Sequence, residues 1–330
     1  MDRGPGMSMF SLLSDRPDST SIAAPASGRE MSEPRSDLEH LRRRIDDIDD
    51  RLQDLLIERV RLVSDVGDHK RHNGALAPHQ PAREAEIIRR LVGRGGGAFP
   101  PATLVRMWRE LLAATVRLQG AFGIAVYAPP EMPGFWDLAR DHYGSQTAML
   151  AYRSTAQVIG AVMEGQAAVG VLPLPQEGEV DPWWRHLLST NEDAPHVIAR
   201  LPFGARGNAR ADGADALAIG RGPPQPSGRD RTLLATENAD GISRSRIVAL
   251  LSELGLSCTF LATYEHPDGA SNLIELDGFV PFSDARLDTF RARLGPALLR
   301  LCPFGGYAVP LSPADLNAAG SAAGRAAAGD

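Results

Sequence analysis

Apolar residues recur along the chain at helical spacing at Leu41, Ile45, Ile48, Leu52, Leu55, Leu62 and Val66. The spacing predicts one long amphipathic helix over residues 36–72, opened by Ser36 or Asp37 as N-cap and ended by Asn73-Gly74. At the usual rise it would run roughly 50 Å, too long for one small domain, so it points to a helical partner such as one from a second protomer. Two cations, Arg59 and Lys70, interrupt the apolar stripe. At about 100° per residue, Arg59 falls at its centre, Lys70 within about 20° and Arg42 about 95° to one side. A cation on an apolar stripe is costly unless an anion meets it. The stripe alone leaves two readings open: a polar break in a coiled coil with a snorkelling lysine, or the wall of an anion site.

Two shorter helices follow. Pro81 stands at the first turn of one, with Ile87, Ile88 and Leu91 as its apolar face, and the glycine run at 93–97 stops it. Pro100-Pro101 opens the next, whose face is Leu104, Trp108, Leu111, Thr115 and Leu118. Arg83 and Glu84 precede Ile87 and Ile88 by one turn, so at least one of them faces the same interior. Gln119 follows Thr115 by one turn. Guanidinium, ammonium, carboxylate and amide are thereby brought toward one interior, a set that fits a small dianion carrying a hydroxyl group.

After Gly120 the pattern becomes α/β. Strands are expected at 123–127 and 167–173, helices at 135–143 and 155–164, and a further strand at 214–219 inside a loop-rich stretch. From residue 232 the order is strand (232–236), helix (242–254), strand (257–264), strand (271–280), helix (284–294), a ferredoxin-like βαββα pattern. The expected boundaries are a disordered lead (1–35), a helical domain (36–120), an α/β region (121–230), a ferredoxin-like module (231–310) and a disordered tail (311–330).

Composition narrows the function classes. A net charge of −6 gives no reason to expect nucleic acid or an anionic membrane as partner, and no apolar run is long enough to span a bilayer. The N-terminus lacks an apolar signal core. The two cysteines, Cys258 and Cys302, are too few for a disulfide framework and are expected as small buried hydrophobes; no CxxC or HExxH is present. A reduced cytoplasmic protein without structural metal is the expectation. Trp183-Trp184 is expected in the core.

The segments Leu41-Arg42-Arg43-Arg44-Ile45-Asp46-Asp47-Ile48-Asp49, Leu55-Leu56-Ile57-Glu58-Arg59, Val66-Gly67-Asp68-His69-Lys70 and Arg83-Glu84 resemble the all-helical chorismate mutases over residues 36–120. The resemblance implies an intertwined helical dimer in which each site takes one arginine from the partner's long helix; the matching position is Arg42. It implies that Arg59 binds a substrate carboxylate, that Lys70 and Gln119 contact the ether oxygen, and that Glu84 binds the ring hydroxyl with Arg83 beside it. Gln80 stands where the family usually has an acidic residue, and Thr115 where a small hydroxyl residue is common. The rearrangement of chorismate to prephenate is intramolecular, so no nucleophile, metal or cofactor is expected. Catalysis comes from holding the folded conformer and stabilising charge on the ether oxygen.

Gly170-Val171-Leu172-Pro173-Leu174 and Leu217-Ala218-Ile219-Gly220-Arg221 make the 121–230 region resemble a shortened, degraded prephenate dehydratase domain. That family's Thr-Arg-Phe motif aligns with Ala214-Asp215-Ala216, its Glu-Asn-Ser with Pro175-Gln176-Glu177, and its glycine-rich loop with Ala128-Pro129-Pro130, so dehydratase activity is not expected. Residues 231–310 resemble an ACT module. Asn238-Ala239-Asp240-Gly241-Ile242 occupies the loop where relatives bind phenylalanine, but Ala262-Thr263-Tyr264-Glu265 replaces the Glu-Ser-Arg-Pro segment. The expected whole is multidomain: an all-α helical-dimer mutase domain, then an α/β dehydratase-like lobe, then an α+β ferredoxin-like ACT module. It would be a cytoplasmic homodimer acting on chorismate and prephenate in phenylalanine and tyrosine biosynthesis, with an aromatic amino acid as candidate effector. Two alternatives stand beside this: a bifunctional mutase–dehydratase, and a non-catalytic helical dimer that regulates another aromatic-pathway enzyme.

Overall fold

The computed structural model describes residues 33–72, 79–95, 97–189, 194–208, 210 and 214–317, with the side chains of 33–36 and 70–72 outside the description. The lead expected over 1–35 lies outside the described residues up to 32, as does the tail from 318. The chain divides into two compact units, Met1–Glu58 and Arg59–Asp330.

The first unit contains the N-terminal part of α1 (Glu33–His72). Its apolar residues face solvent: Leu41 is 52% exposed, Ile45 56% and Leu55 59%.

In the second unit, α2 (Pro81–Gly93) and α3 (Pro101–Gln119) both start on a proline, whose missing N–H is no loss there. α2 buries Ala85, Ile88 and Val92; α3 buries Val105, Arg109, Leu112 and Val116. The α3 face is thus displaced by one residue from the one the sequence suggested. Leu104, Trp108 and Leu111 are half-buried and Leu118 is exposed. The reason is that both helices pack on the downstream region as well as on each other, sharing a core with Phe203, Ala308 and Leu311. Arg89 fastens α2 to that region: its guanidinium donates to the carbonyls of Ser227 (3.1 Å), Arg229 (2.8 Å) and Val309 (2.7 Å).

The downstream region is one mixed sheet of nine strands in the order β2-β1-β3-β5-β4-β9-β6-β8-β7. These are β1 (Gly123–Tyr127), β2 (Ala148–Tyr152), β3 (Val169–Pro173), β4 (His196–Leu201), β5 (Ala216–Gly220), β6 (Asp230–Ala239), β7 (Cys258–His266), β8 (Gly269–Asp277) and β9 (Leu298–Ala308). The helices are α4 (Gly134–Tyr143), α5 (Thr155–Met163), α6 (Arg244–Glu253) and α7 (Ala285–Leu294). β1 runs parallel to β2 and β3, while β5 returns antiparallel between β3 and β4. The order β9-β6-β8-β7 with α6 and α7 completes a βαββαβ unit, one strand more than the pattern predicted. β9 also meets β4 in parallel at Val197–Gly305, so the sheet runs unbroken past residue 230. Gly305 has φ +110°, and a Cβ there would overlap the backbone of Val197. Glycine is therefore what lets the two halves of the sheet join.

Trp183 and Trp184 are both buried, and the Trp183 indole donates to the Pro173 carbonyl at 3.0 Å. Both cysteines are free; Cys302 is buried and Cys258 half-buried. Residues 311–317, expected as part of a disordered tail, carry ordered contacts. Leu311 is buried, its amide donates to Phe203 at 2.7 Å, and Asp315 pairs with Arg229 at 3.1 Å. Among the described residues no helix is long and apolar enough to cross a membrane.

Candidate active site

The residues singled out in the sequence divide into those gathered along α1, α2 and α3 and those turned elsewhere. Arg59 is half-buried, with its guanidinium carbon 5.4 Å from the Trp108 ring centre on α3. Its Nη1 is buried and has no hydrogen-bond partner among the described residues. Burial pushes its pKa down, yet an arginine stays charged at neutral pH. The stripe argument therefore meets its physical counterpart: a partly desolvated cation with an unspent donor, seated on an aromatic face.

Two turns on, Gly67 is buried against Gln119, and a Cβ at 67 would lie 3.3 Å from the Gln119 Cγ. The Gln119 amide donates to the Thr115 carbonyl at 3.1 Å, and the buried Thr115 hydroxyl donates to the Leu112 carbonyl at 2.8 Å. Lys70 lies in the last turn of α1; its side chain falls outside the described residues.

Glu84 sits in the first turn of α2 and is buried. Its Oε2 accepts from Arg109 Nη1 at 3.0 Å, and its Oε1 lies 3.8 Å from His79 Nε2. The Arg109 guanidinium stacks over Phe203 at 4.8 Å. His79 rests against Phe122 (5.1 Å) and Tyr143 (5.6 Å), and His142 against Tyr143 (4.6 Å). Burial is the main cause that pushes the pKa of His79 and Arg109 down, opposed by Glu84; it holds His142 well below its usual range, reinforced by Arg109 and His79. The same burial raises the Tyr143 phenol.

Gln80 is the N-cap residue of α2, half-buried, and lines a cavity of about 120 Å³ with His79, Phe122 and Tyr307. Arg83 does not join this group. It is exposed and pairs with Glu86 at 2.6 Å. Neighbours on a helix diverge by about 100°, so only one of Arg83 and Glu84 can face inward, and Glu86 holds the arginine outside. Arg42 is exposed and belongs to the first unit.

The sequence reading passed over Arg109, His79, His142 and Tyr143. Arg109 carried a usable signal, because it stands on the stripe Val105, Arg109, Leu112, Val116 just as Arg59 stands on its own. The two histidines and the tyrosine had none, since their neighbours come from α4 and the segment leading into α2.

Residues 41–120 match the family described as chorismate mutase type II. A protein of Aquifex aeolicus named bifunctional chorismate mutase/prephenate dehydratase is 30% identical over 142 residues, covering 42% of this chain and 39% of that protein. One of the same name from Stutzerimonas stutzeri is 28% identical over 146 residues, covering 43% and 40%. The match thus spans about two fifths of the length of these curated relatives. Among solved structures, a prephenate dehydratase from Streptococcus mutans aligns with a TM-score of 0.42 and 14% identity over 57% of this chain and 98% of that one.

Proposed function

We propose that this chain converts chorismate to prephenate in its helical N-terminal domain, residues 36–120. The observation that carries the reading is Arg59: a half-buried guanidinium whose Nη1 has no partner among the described residues, inside the segment matched by the mutase family. In this reading Arg59 takes one substrate carboxylate, and Arg42 from a second copy takes the other. Lys70 and Gln119 address the ether oxygen, where negative charge develops as the bond breaks. Glu84 accepts from the ring hydroxyl, and Gln80 and Thr115 line the site. Arg83 serves only if it leaves Glu86. One further fact of composition supports Lys70: it is the sole lysine among 35 lysine and arginine residues. A chain that uses arginine everywhere else keeps a compact ammonium at the position where a point charge on one oxygen is needed. The exposed apolar side of α1 supports a homodimer built through that helix. Full-length protein incubated with chorismate should consume it and form prephenate; a folded dimer that leaves chorismate unchanged sinks the proposal.

The relatives bear on a second activity. Both carry the bifunctional mutase–dehydratase name, so the comparisons support a bifunctional chain better than the mutase-only reading the sequence favoured. The replaced dehydratase motifs in residues 121–230 argue the other way, and an assay decides between them. Bifunctionality requires phenylpyruvate from prephenate at neutral pH above the acid-catalysed background. The βαββαβ order of residues 231–310 supports the ACT-like reading and, with it, an aromatic amino acid as effector. Adding phenylalanine or tyrosine to either assay tests that part.

A further inference from the structure

Glu84 and Arg109 form an ion pair buried on both sides in the second unit. Only 11% of the Glu84 side chain and 6% of the Arg109 side chain reach solvent. Such a pair is costly to break, because either partner left alone is a buried uncompensated charge. The groups around the carboxylate come from three directions. Arg109 arrives from α3, His79 from the segment before α2, and Tyr143 with His142 from α4. Phe203 covers the far face of the guanidinium. Oε2 accepts from Arg109, while Oε1 lies 3.8 Å from His79 Nε2, beyond hydrogen-bond range. Arg109 thus fixes the Glu84 carboxylate through Oε2.

We propose that Arg109 is a positioning residue for Glu84, holding Oε2 so that Oε1 meets the substrate's ring hydroxyl, with α4 closing the wall behind the pair. The inference rests on the mutase reading above. It gives the α/β region a present role: it supplies the dry backing that keeps a catalytic carboxylate in one orientation. A carboxylate free to turn would present its oxygen to the hydroxyl only part of the time, and orientation of this kind is what an intramolecular rearrangement draws its rate from.

The test is a double-mutant cycle on the full-length protein. Arg109→Gln, Glu84→Gln and the double variant are compared for kcat and KM with chorismate, alongside circular dichroism. R109Q should lower kcat/KM roughly ten-fold or more, whereas adding R109Q to E84Q should change it by less than about two-fold, because the arginine then has nothing to position. Should R109Q fail to fold, Arg109→Lys keeps the charge without the planar fork. It should lose activity in the wild-type background and none in the E84Q background. Losses that multiply in the double variant, or a folded R109Q as active as wild type, overturn the inference alone. A wild-type chain inert toward chorismate overturns the mutase reading and this inference with it.

Discussion

Arg59 and Arg109 are the same physical object on two helices, a guanidinium set into an apolar face. The first was legible because its stripe is long and regular. The second was missed because α3 has two partly buried faces, and the sequence pattern points to the shallower one through Leu104 and Trp108. Arg83 and Glu84 show a different limit. Adjacent positions cannot both face inward, and only the three-dimensional neighbours, Arg109 inside and Glu86 outside, choose between them. For Lys70 the expectation is concrete. Lys70→Ala should cost about 3–4 kcal/mol of transition-state stabilisation, the scale of losing one oxyanion donor, read from kcat/KM on chorismate. Lys70→Arg, which spreads the charge over a fork, should recover only part of it. The histidines make a stability prediction. His79, His142 and His196 all have pKa values pushed below 6.5 chiefly by burial, so they fold neutral. Below pH 6.5 the unfolded chain binds protons that the folded chain refuses, so their contribution is present above that pH and lost as pH falls. Thermal unfolding followed from pH 8 down to about 5 should show a melting temperature that falls below pH 6.5. A flat profile contradicts the neutral-histidine assignment.

At the scale of elements, the helices and most strands were legible, the edge strand β7 among them, whereas β2, β4 and β9 were not. The strand at 123–127 matches β1 residue for residue, because an apolar run bounded by glycine has few alternatives. β2 has exposed residues and lies at the sheet edge, so no burial pattern marks it. β9 contains Pro303, Gly305 and Gly306, which read locally as a loop. Only the approach of β4 and β6 makes those residues a strand, and the glycines are what permit the approach. Gly305→Ala should therefore destabilise the second unit by about 2–4 kcal/mol, from the positive φ and the overlap with Val197 together. Urea unfolding of that variant against wild type measures it; a change under about 0.5 kcal/mol would show that the β4–β9 contact is not needed for stability.

At the scale of the whole molecule, the helices, the α/β region and the βαββαβ unit are not independent beads after Arg59. Arg89 binds three carbonyls of the downstream chain, and the sheet crosses the boundary expected at residue 230. Sequence reading separates domains by composition and motif, and a single bridge at Val197–Gly305 leaves no such mark. The apolar face of α1 has a consequence in mass action. Leu41, Ile45, Ile48, Leu52 and Leu55 are each about half or more exposed in a single copy. Water favours covering that surface, but a second copy can do so only at concentrations above its dissociation constant. Activity per molecule should then be constant in concentrated solution and fall on dilution, with a lag on mixing that shortens as protein is added. A specific activity unchanged at a dilution where sedimentation shows a monomer would mean that one copy is complete by itself.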